Sequence, residues 1–207
     1  MRIGILTSGG DCPGINATIR GVCKTAINHY GMEVIGIHSG FQGLLTKDIE
    51  SFTDKSLSGL LNQGGTMLGT SREKPFKKGG VVSDVDKPSL ILQNIHEIGL
   101  DCVVCIGGNG TQKTAAKFAA MGVNIVSVPK TIDNDLMGTD HTPGFGSAAK
   151  YVAASILEVV HDSLIYQLQS VTIIEIMGRN AGWLTAAAAL ARNEYNVAPD
   201  LIYLPEV

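Results

Sequence analysis

The sequence has few aromatic residues, few charged residues and no long hydrophobic run. Aromatic side chains make up 5% of its 207 residues and charged ones 17%. No segment reaches the roughly 18 consecutive apolar residues of a membrane span, and glycines follow the first apolar residues too soon for a signal peptide. The formal net charge of −3 argues against a general nucleic-acid surface. We therefore expect a cytoplasmic protein that binds neither membranes nor nucleic acid.

Glycine and aliphatic residues are what the chain has in quantity. It contains 25 glycines and 44% apolar residues, which is typical of an α/β enzyme with many tight turns. Its four cysteines include Cys102 and Cys105, which are spaced like a metal or redox pair. Residues three apart in a strand point to opposite faces, however, so we expect buried free thiols that pack as small hydrophobes.

Strand-like and helix-like stretches alternate along the chain, which predicts a parallel sheet with helices on both faces. The predicted strands are 2–6, 32–37, 102–106, 124–128, 171–176 and 201–204. The predicted helices are 15–26, 56–62, 87–98, 112–121, 149–160 and 181–191. The fold class is therefore a three-layer, Rossmann-like α/β fold.

Glycines and a proline interrupt this pattern around residues 138–146 and predict a change of domain. We expect one α/β domain over residues 1–140 and the start of a second over 141–207. The last predicted strand has no covering helix after it, so we expect the second domain to be incomplete and the chain to be a fragment.

Two carboxylates follow the predicted strand at 124–128. Asp133 and Asp135 stand two residues apart, beside Lys130 and Thr131. Ligands of open α/β sheets bind outside the carboxyl ends of strands. A loop of this composition suits proton abstraction and metal-assisted handling of phosphate. We interpret it as an active-site loop.

Two glycine-rich loops also follow predicted strands, at residues 7–11 and 107–111. Glycines between a strand and a helix let backbone N–H groups approach a phosphate, and the helix N-terminus adds partial positive charge. One such loop is weak evidence, since any tight turn can need glycine. Two of them beside an aspartate loop indicate a phosphate-handling enzyme.

Together these loops resemble the phosphofructokinase family, whose members phosphorylate fructose 6-phosphate. The matching segments are TSGGDCPGINATIRG at 7–21, GGTMLGTSR at 64–72, GGNGT at 107–111, PKTIDNDLMGTD at 129–140 and IMGRNAGWL at 176–184. The resemblance runs the whole length of the chain. In the family a substantial C-terminal part follows, so we expect this chain alone to be inactive.

The resemblance implies a role for individual residues. Asp133 would be the catalytic base, and Arg72 would reach the transferred phosphoryl group, where guanidinium offers bidentate donors. The implied nucleotide-binding residues are Gly9, Arg72, Glu73, Gly108, Asn109, Gly110 and Thr111. The implied substrate-binding residues are Thr131, Ile132, Asp133, Met177, Gly178 and Arg179.

The resemblance also implies Mg²⁺, with Asn109 and Asp135 as candidate ligands, and a homotetramer for a complete enzyme of glycolysis. Asp135 would either help to hold the ion or position the loop. Asn109 departs from the family, since many members carry an aspartate there; an amide oxygen can coordinate a cation but brings no negative charge. Two residues bear on the phosphoryl donor. Gly110 favours ATP because pyrophosphate-dependent members tend to have aspartate there, whereas Lys130 is typical of the pyrophosphate type. We expect ATP as the donor.

Three alternatives remain open. The first is a pyrophosphate-dependent phosphofructokinase. The second is a kinase of the NAD or lipid type, which shares the GGDGT-like loop but not the longer motifs. The third is a non-catalytic nucleotide-binding module. A dinucleotide-binding dehydrogenase is excluded, because the first strand is not followed by G-x-G-x-x-G.

Overall fold

The computed structural model describes residues 1–76, 86–166 and 169–206. They form two compact units, Met1–Lys130 and Thr131–Val207. The expected domain boundary at residue 140 thus lies inside the second unit, and the whole Thr131–Asp135 loop belongs to that unit. None of the described helices combines the length and apolar character that crossing a membrane requires.

The first unit is built on a five-stranded sheet. Its strands are β1 (Arg2–Ser8), β2 (Glu33–Ile37), β3 (Ile49–Phe52), β4 (Cys102–Gly107) and β5 (Ile125–Pro129). They lie in the order β3-β2-β1-β4-β5. All neighbours are parallel except β3, which runs antiparallel to β2 at the edge. The predicted α/β class is confirmed, with a sheet that is mixed rather than wholly parallel.

Helices cover both faces of this sheet. They are α1 (Ile15–Tyr30), α2 (Phe41–Thr46), α3 (Lys87–Ile98) and α4 (Asn109–Ala120). One apolar core lies between the sheet and α1, and a second lies between the sheet and α2, α3 and α4. The three layers are those that the alternating pattern predicted, because strands buried on both faces read as continuous apolar runs.

The two cysteines of β4 lie on opposite faces of the sheet, as their spacing in a strand predicts. Cys102 packs in the core beneath α1, and Cys105 packs in the opposite core. All four cysteines are buried and are thiols rather than disulfides. The spacing of Cys102 and Cys105 thus reflects a strand with two buried faces, as expected, and not a metal site.

The second unit contains α5 (Phe145–Ile165) and α6 (Trp183–Ala187), which runs into a 3₁₀ turn at Ala188–Ala191. Two small apolar clusters hold these helices together, one around Ala149 and Leu184 and the other around Ile156 and Ala191. The strands predicted at 171–176 and 201–204 are wrong. Both segments lie unpaired among the described residues, because a strand exists only where a neighbour supplies its hydrogen bonds.

The sequence pattern also missed two elements and misjudged one. Helix α2 and strand β3 were not predicted, since both are short and follow turn-rich sequence. The helix predicted at 56–62 is instead two 3₁₀ turns, Lys55–Leu57 and Leu60–Asn62, separated by Gly59. Helix α3 has the predicted bounds. It ends at Gly99, whose left-handed φ of 73° lets its N–H reach the last-turn carbonyls.

We predict that Cys23 and Cys105 resist thiol reagents in the folded protein. Burial raises the pKa of each thiol to about 12. At pH 8 the reactive thiolate is then roughly 1 part in 10⁴, against about a quarter for a free cysteine of pKa near 8.5. Ellman's reagent followed by peptide mapping should find neither residue modified until guanidinium is added, when all four cysteines react. Rapid modification of either residue in native protein would contradict this packing.

We also predict that the isolated 207-residue chain self-associates. Several large apolar side chains of its second unit are bare: Val171 and Ile173 are each 90% exposed, Val197 81%, Tyr203 80% and Leu201 71%. An apolar surface of this kind favours association. Light scattering should show species larger than a monomer, and 8-anilinonaphthalene-1-sulfonate should fluoresce in its presence. A stable monomer that leaves the dye dark would show that these side chains are covered in solution.

Candidate functional site

The order of the strands marks a ligand-binding crevice between β1 and β4. From β1 the chain proceeds to β2 on one side, whereas β4 lies on the other side and is followed outward by β5. Such a reversal is a topological switch point, and ligands bind there outside the carboxyl ends of the strands. The last paired residues are Ser8 of β1 and Gly107 of β4. The two glycine-rich loops therefore leave the sheet side by side.

Side chains from three other segments fasten the carbonyls of the first glycine loop. The bonds run from Thr111 Oγ1 to Ser8 O at 3.2 Å, from Thr70 Oγ1 to Gly9 O at 2.6 Å, and from Lys130 Nζ to Gly10 O. These bonds occupy the carbonyls of Ser8, Gly9 and Gly10, and the Gly9 amide donates to Ser71 O at 3.2 Å. In the described parts of the chain no acceptor is bonded to the N–H of Gly10 or Asp11. Amides of successive residues that have no acceptor suit an anion.

Lys130 lies inside the protein. Only 3% of its surface is exposed, and its ammonium donates to the carbonyl of Gly10. Its positive charge also opposes the effect of burial on Cys12, whose pKa is raised mainly by desolvation. The sequence analysis indicated Lys130 as a residue that distinguishes ATP from pyrophosphate as the phosphoryl donor. In this structure it fastens the loop on which a donor would lie.

The second glycine loop forms the N-terminus of α4. Gly108 precedes the helix, Asn109 and Gly110 are exposed in its first turn, and Thr111 is buried. Gly107 is required here, because an added Cβ would lie 2.4 Å from Thr111 Oγ1. Gly110 is not: an added Cβ would meet nothing within 4 Å. The open space at Gly110 adjoins the free amides of a helix N-terminus, which is favourable for phosphate.

The loop that carries Arg72 is tied to β1 and α1. Thr7 Oγ1 donates to Gly69 O at 2.6 Å, and the buried Asn16 amide donates to Gly65 O at 2.6 Å. Arg72 is exposed and forms no ion pair within the described ranges. Its neighbour Glu73 behaves differently, since its carboxylate accepts a 2.8 Å bond from Lys87 at the start of α3.

In the second unit, the aspartate loop has a distinct electrostatic environment. Burial raises the pKa of Asp133, the nearby carboxylate of Asp135 raises it further, and the charge of Arg179 opposes both. The charge of Arg179 therefore acts on Asp133, although Arg179 is 46 residues further along the chain (179 minus 133). Asp133 N also donates to Thr131 Oγ1 at 3.1 Å. The structure thus links the aspartate loop to a residue that the sequence analysis indicated in a different segment.

The other predicted sugar-phosphate residues differ in exposure. Met177 is 74% exposed, and Arg179 is exposed with a left-handed φ of 56°. Gly178 between them is buried, and a Cβ there would lie 2.3 Å from Ala181 O, so only glycine fits this turn. Ile132 packs in the core against Leu184, which leaves its backbone as the part that could contact a substrate.

Two buried residues that the sequence analysis missed shape the aspartate loop. They are Asn134 and Thr142, which are 8% and 3% exposed. The sequence held one signal for Asn134: asparagine tolerates the left-handed region better than most residues, and its φ is 53°. Nothing in the sequence marked Thr142.

Few of the described side chains are candidates to coordinate Mg²⁺. Within the described ranges, no three His, Cys, Asp or Glu side chains converge. Asp133 and Asp135 form a pair near enough to influence each other, while Asn109 belongs to the other unit. Mg²⁺ is commonly held by one or two carboxylates, with phosphate oxygens of the substrate and waters completing its shell. The carboxylates present therefore fit Mg²⁺ that arrives with a phosphorylated ligand.

Comparison with known proteins agrees with this geometry. A family model described as phosphofructokinase matches residues 2–207. The chain belongs to the phosphofructokinase family. It is 75% identical over its whole length to ATP-dependent 6-phosphofructokinase 3 of Bacteroides thetaiotaomicron, of which it covers 60%. It is 46% identical to ATP-dependent 6-phosphofructokinase of Spirochaeta thermophila, of which it covers 55%.

Solved phosphofructokinase structures share the fold. Pyrophosphate-dependent phosphofructokinase from Marinobacter aquaeolei matches the whole chain with a TM-score of 0.83 and 32% identity, and the match covers 53% of that protein. Phosphofructokinase from Saccharomyces cerevisiae matches 91% of the chain with a TM-score of 0.79 and 28% identity. The chain thus spans little more than half the length of several relatives, and those relatives include both donor types.

Proposed function

We propose that the protein carrying this chain transfers a phosphoryl group from ATP to the 1-hydroxyl of fructose 6-phosphate. The observation that carries the proposal is the pair of glycine loops at the switch point between β1 and β4, where side chains bond to the carbonyls of the first loop and the amides of Gly10 and Asp11 have no acceptor among the described residues. That arrangement suits the phosphates of a donor. The 75% identity to a protein named ATP-dependent 6-phosphofructokinase 3 supports ATP as the donor.

In the proposed reaction, Asp133 accepts the proton of the sugar 1-hydroxyl as that oxygen bonds to the γ-phosphorus. The bond between the γ-phosphorus and its bridging oxygen breaks, and ADP leaves with the bridging oxygen. Arg72 would neutralise charge on the transferred group through its planar guanidinium. Mg²⁺ would supply further charge neutralisation to the donor phosphates, and Asp135 and Asn109, one in each unit, are the candidate ligands. Phosphoryl transfer needs little more from a protein than positioning and such neutralisation.

The remaining assignments also belong to the proposal. The first unit would bind the donor through Gly9, Gly108, Asn109, Gly110, Thr111 and Glu73. The second would bind the sugar phosphate through Thr131, Ile132, Met177, Gly178 and Arg179. We further propose a cytoplasmic enzyme of glycolysis that works as a homotetramer, as the family resemblance implies.

Pyrophosphate as the donor is the second candidate. Two observations favour it: Lys130 stands in the aspartate loop, and a pyrophosphate-dependent relative matches the whole chain with a TM-score of 0.83. Gly110 favours ATP, since its open space leaves room for a nucleotide. Steady-state assays of the intact protein with ATP and with pyrophosphate, side by side on fructose 6-phosphate, decide between them. Activity with neither donor would refute the proposed function.

We predict that Asp133→Asn in the intact protein lowers kcat on the order of 10²-fold or more, because the amide cannot accept the hydroxyl proton. The matched control is Asp162→Asn, which makes the same charge change at an exposed position of α5 and should leave kcat unaltered. Circular dichroism should show both variants folded. A kcat for Asp133→Asn within a few-fold of the parent would remove this residue from the mechanism.

We predict that Gly110→Asp lowers kcat/KM for ATP selectively. A Cβ at this position meets no atom within 4 Å, so we expect the fold to be kept, while the new charge would face the donor phosphates. A like-charge contact in a partly desolvated cleft should cost on the order of 10²-fold in kcat/KM. Gly110→Asn is the control of equal size without charge and should lose far less. Equal losses in the two variants would show that bulk rather than charge is responsible.

A further inference from the structure

Asn134 occupies an unusual position between the two carboxylates of the aspartate loop. Its backbone is left-handed, with φ at 53°, so the chain turns sharply between Asp133 and Asp135. Its side chain points into the protein, and the residue is only 8% exposed. With its side chain buried, Asn134 is not placed to touch a substrate, and its function must be exerted through its neighbours.

The buried amide of Asn134 bridges the loop to residues further along. Its Nδ2 donates to Asp140 O at 3.0 Å, and its Oδ1 accepts from Thr142 N at 2.9 Å. The Thr142 hydroxyl lies 3.2 Å from the same Oδ1 and 2.7 Å from Thr131 O. A hydroxyl has one proton, and the shorter contact takes it. The amide and the hydroxyl thus satisfy carbonyls on both sides of the carboxylates.

This network is anchored in the core of the second unit. Thr131 forms an isolated parallel bridge with Gly144, and Phe145 N donates to Thr142 O at 3.1 Å. Phe145 begins α5 and packs in the cluster of Ala149 and Leu184. The restraint therefore runs from a packed helix, through Thr142 and Asn134, to the backbone that carries the carboxylates.

We propose that Asn134 and Thr142 are positioning residues, which hold Asp133 and Asp135 in the arrangement that phosphoryl transfer requires. This inference rests on the proposed function, since it concerns the same loop. Catalysis of this kind depends on placing reacting groups closely, and a displacement of about 1 Å can cost 10²-fold in rate. Removal of the network should therefore change kcat more than the KM for either substrate.

Two substitutions at Asn134 distinguish the effect of losing its hydrogen bonds from the effect of straining its backbone. Asn134→Gly keeps the left-handed backbone and removes both amide bonds, whereas Asn134→Ala removes them and also strains the backbone. Thr142→Val removes the hydroxyl at constant shape, and Thr142→Ser is the matched control that keeps it. Each variant is made in the intact protein. Kinetics with fructose 6-phosphate and the donor are measured beside hydrogen–deuterium exchange of residues 131–145.

For Asn134→Gly we expect kcat to fall by about 10²-fold with KM values changed by less than about 3-fold. Thr142→Val should lose about 10-fold in kcat, and Thr142→Ser should retain the parental value within about 2-fold. The double variant should lose little more than Asn134→Gly, because residues of one network are not additive. Exchange at the Thr142 amide should accelerate in Asn134→Gly.

The two readouts distinguish failure of this inference from failure of the proposed function. An active parent whose kcat survives Asn134→Gly, or whose KM changes instead of kcat, would overturn the inference. A parent without kinase activity would refute the proposed function, and faster exchange in Asn134→Gly would still support the loop-holding role. Should Asn134→Gly not fold, Thr142→Val decides: a kcat equal to that of Thr142→Ser overturns the inference.

Discussion

The parallel pairing of β1 with β4 is the constraint on which the first unit depends. Both strands are buried on both faces, and their register sets Ser8 opposite Gly107. The glycine loops begin at these residues, so the register decides that they emerge together. A slip of one residue would turn every side chain of the strand to the other face. Gly107 also lies close to Ser8 O, 2.7 Å from where a Cβ would be, so the pairing and the loop contacts require the same glycine.

The buried ammonium of Lys130 bears on whether ATP or pyrophosphate is the phosphoryl donor. Burying a charge is costly unless it is paired or hydrogen-bonded, and in this structure the carbonyl of Gly10 is the acceptor. In this arrangement the ammonium is hydrogen-bonded to the backbone of the first glycine loop. The lysine at this position is thus compatible with either donor. The discriminating feature is the open space at Gly110, which supports ATP.

The sequence predicted the fold well where burial alone determines it. The four strands of the first unit with continuous apolar runs, and helix α3 with its glycine terminus, could be read directly from residue pattern. The extended segments at 171–176 and 201–204 could not, because apolar alternation shows that a segment is able to form a strand, whereas pairing depends on a neighbour. The glycine and aspartate motifs predicted the candidate site, but Thr142 could not have been found, since a buried threonine has no distinctive spacing.

In both units, side chains donate hydrogen bonds to the carbonyls of a loop that carries candidate functional groups. In the first, Thr70, Thr111 and Lys130 donate to loop carbonyls, and the amides of Gly10 and Asp11 have no acceptor among the described residues. In the second, Asn134 and Thr142 satisfy loop carbonyls from inside and leave carboxylates free. A loop without regular secondary structure has carbonyls that need acceptable partners when they are buried. Supplying those partners from side chains restrains the loop and also determines which of its groups remain available. The residues proposed to act in each loop therefore depend on polar neighbours that bond to the loop backbone.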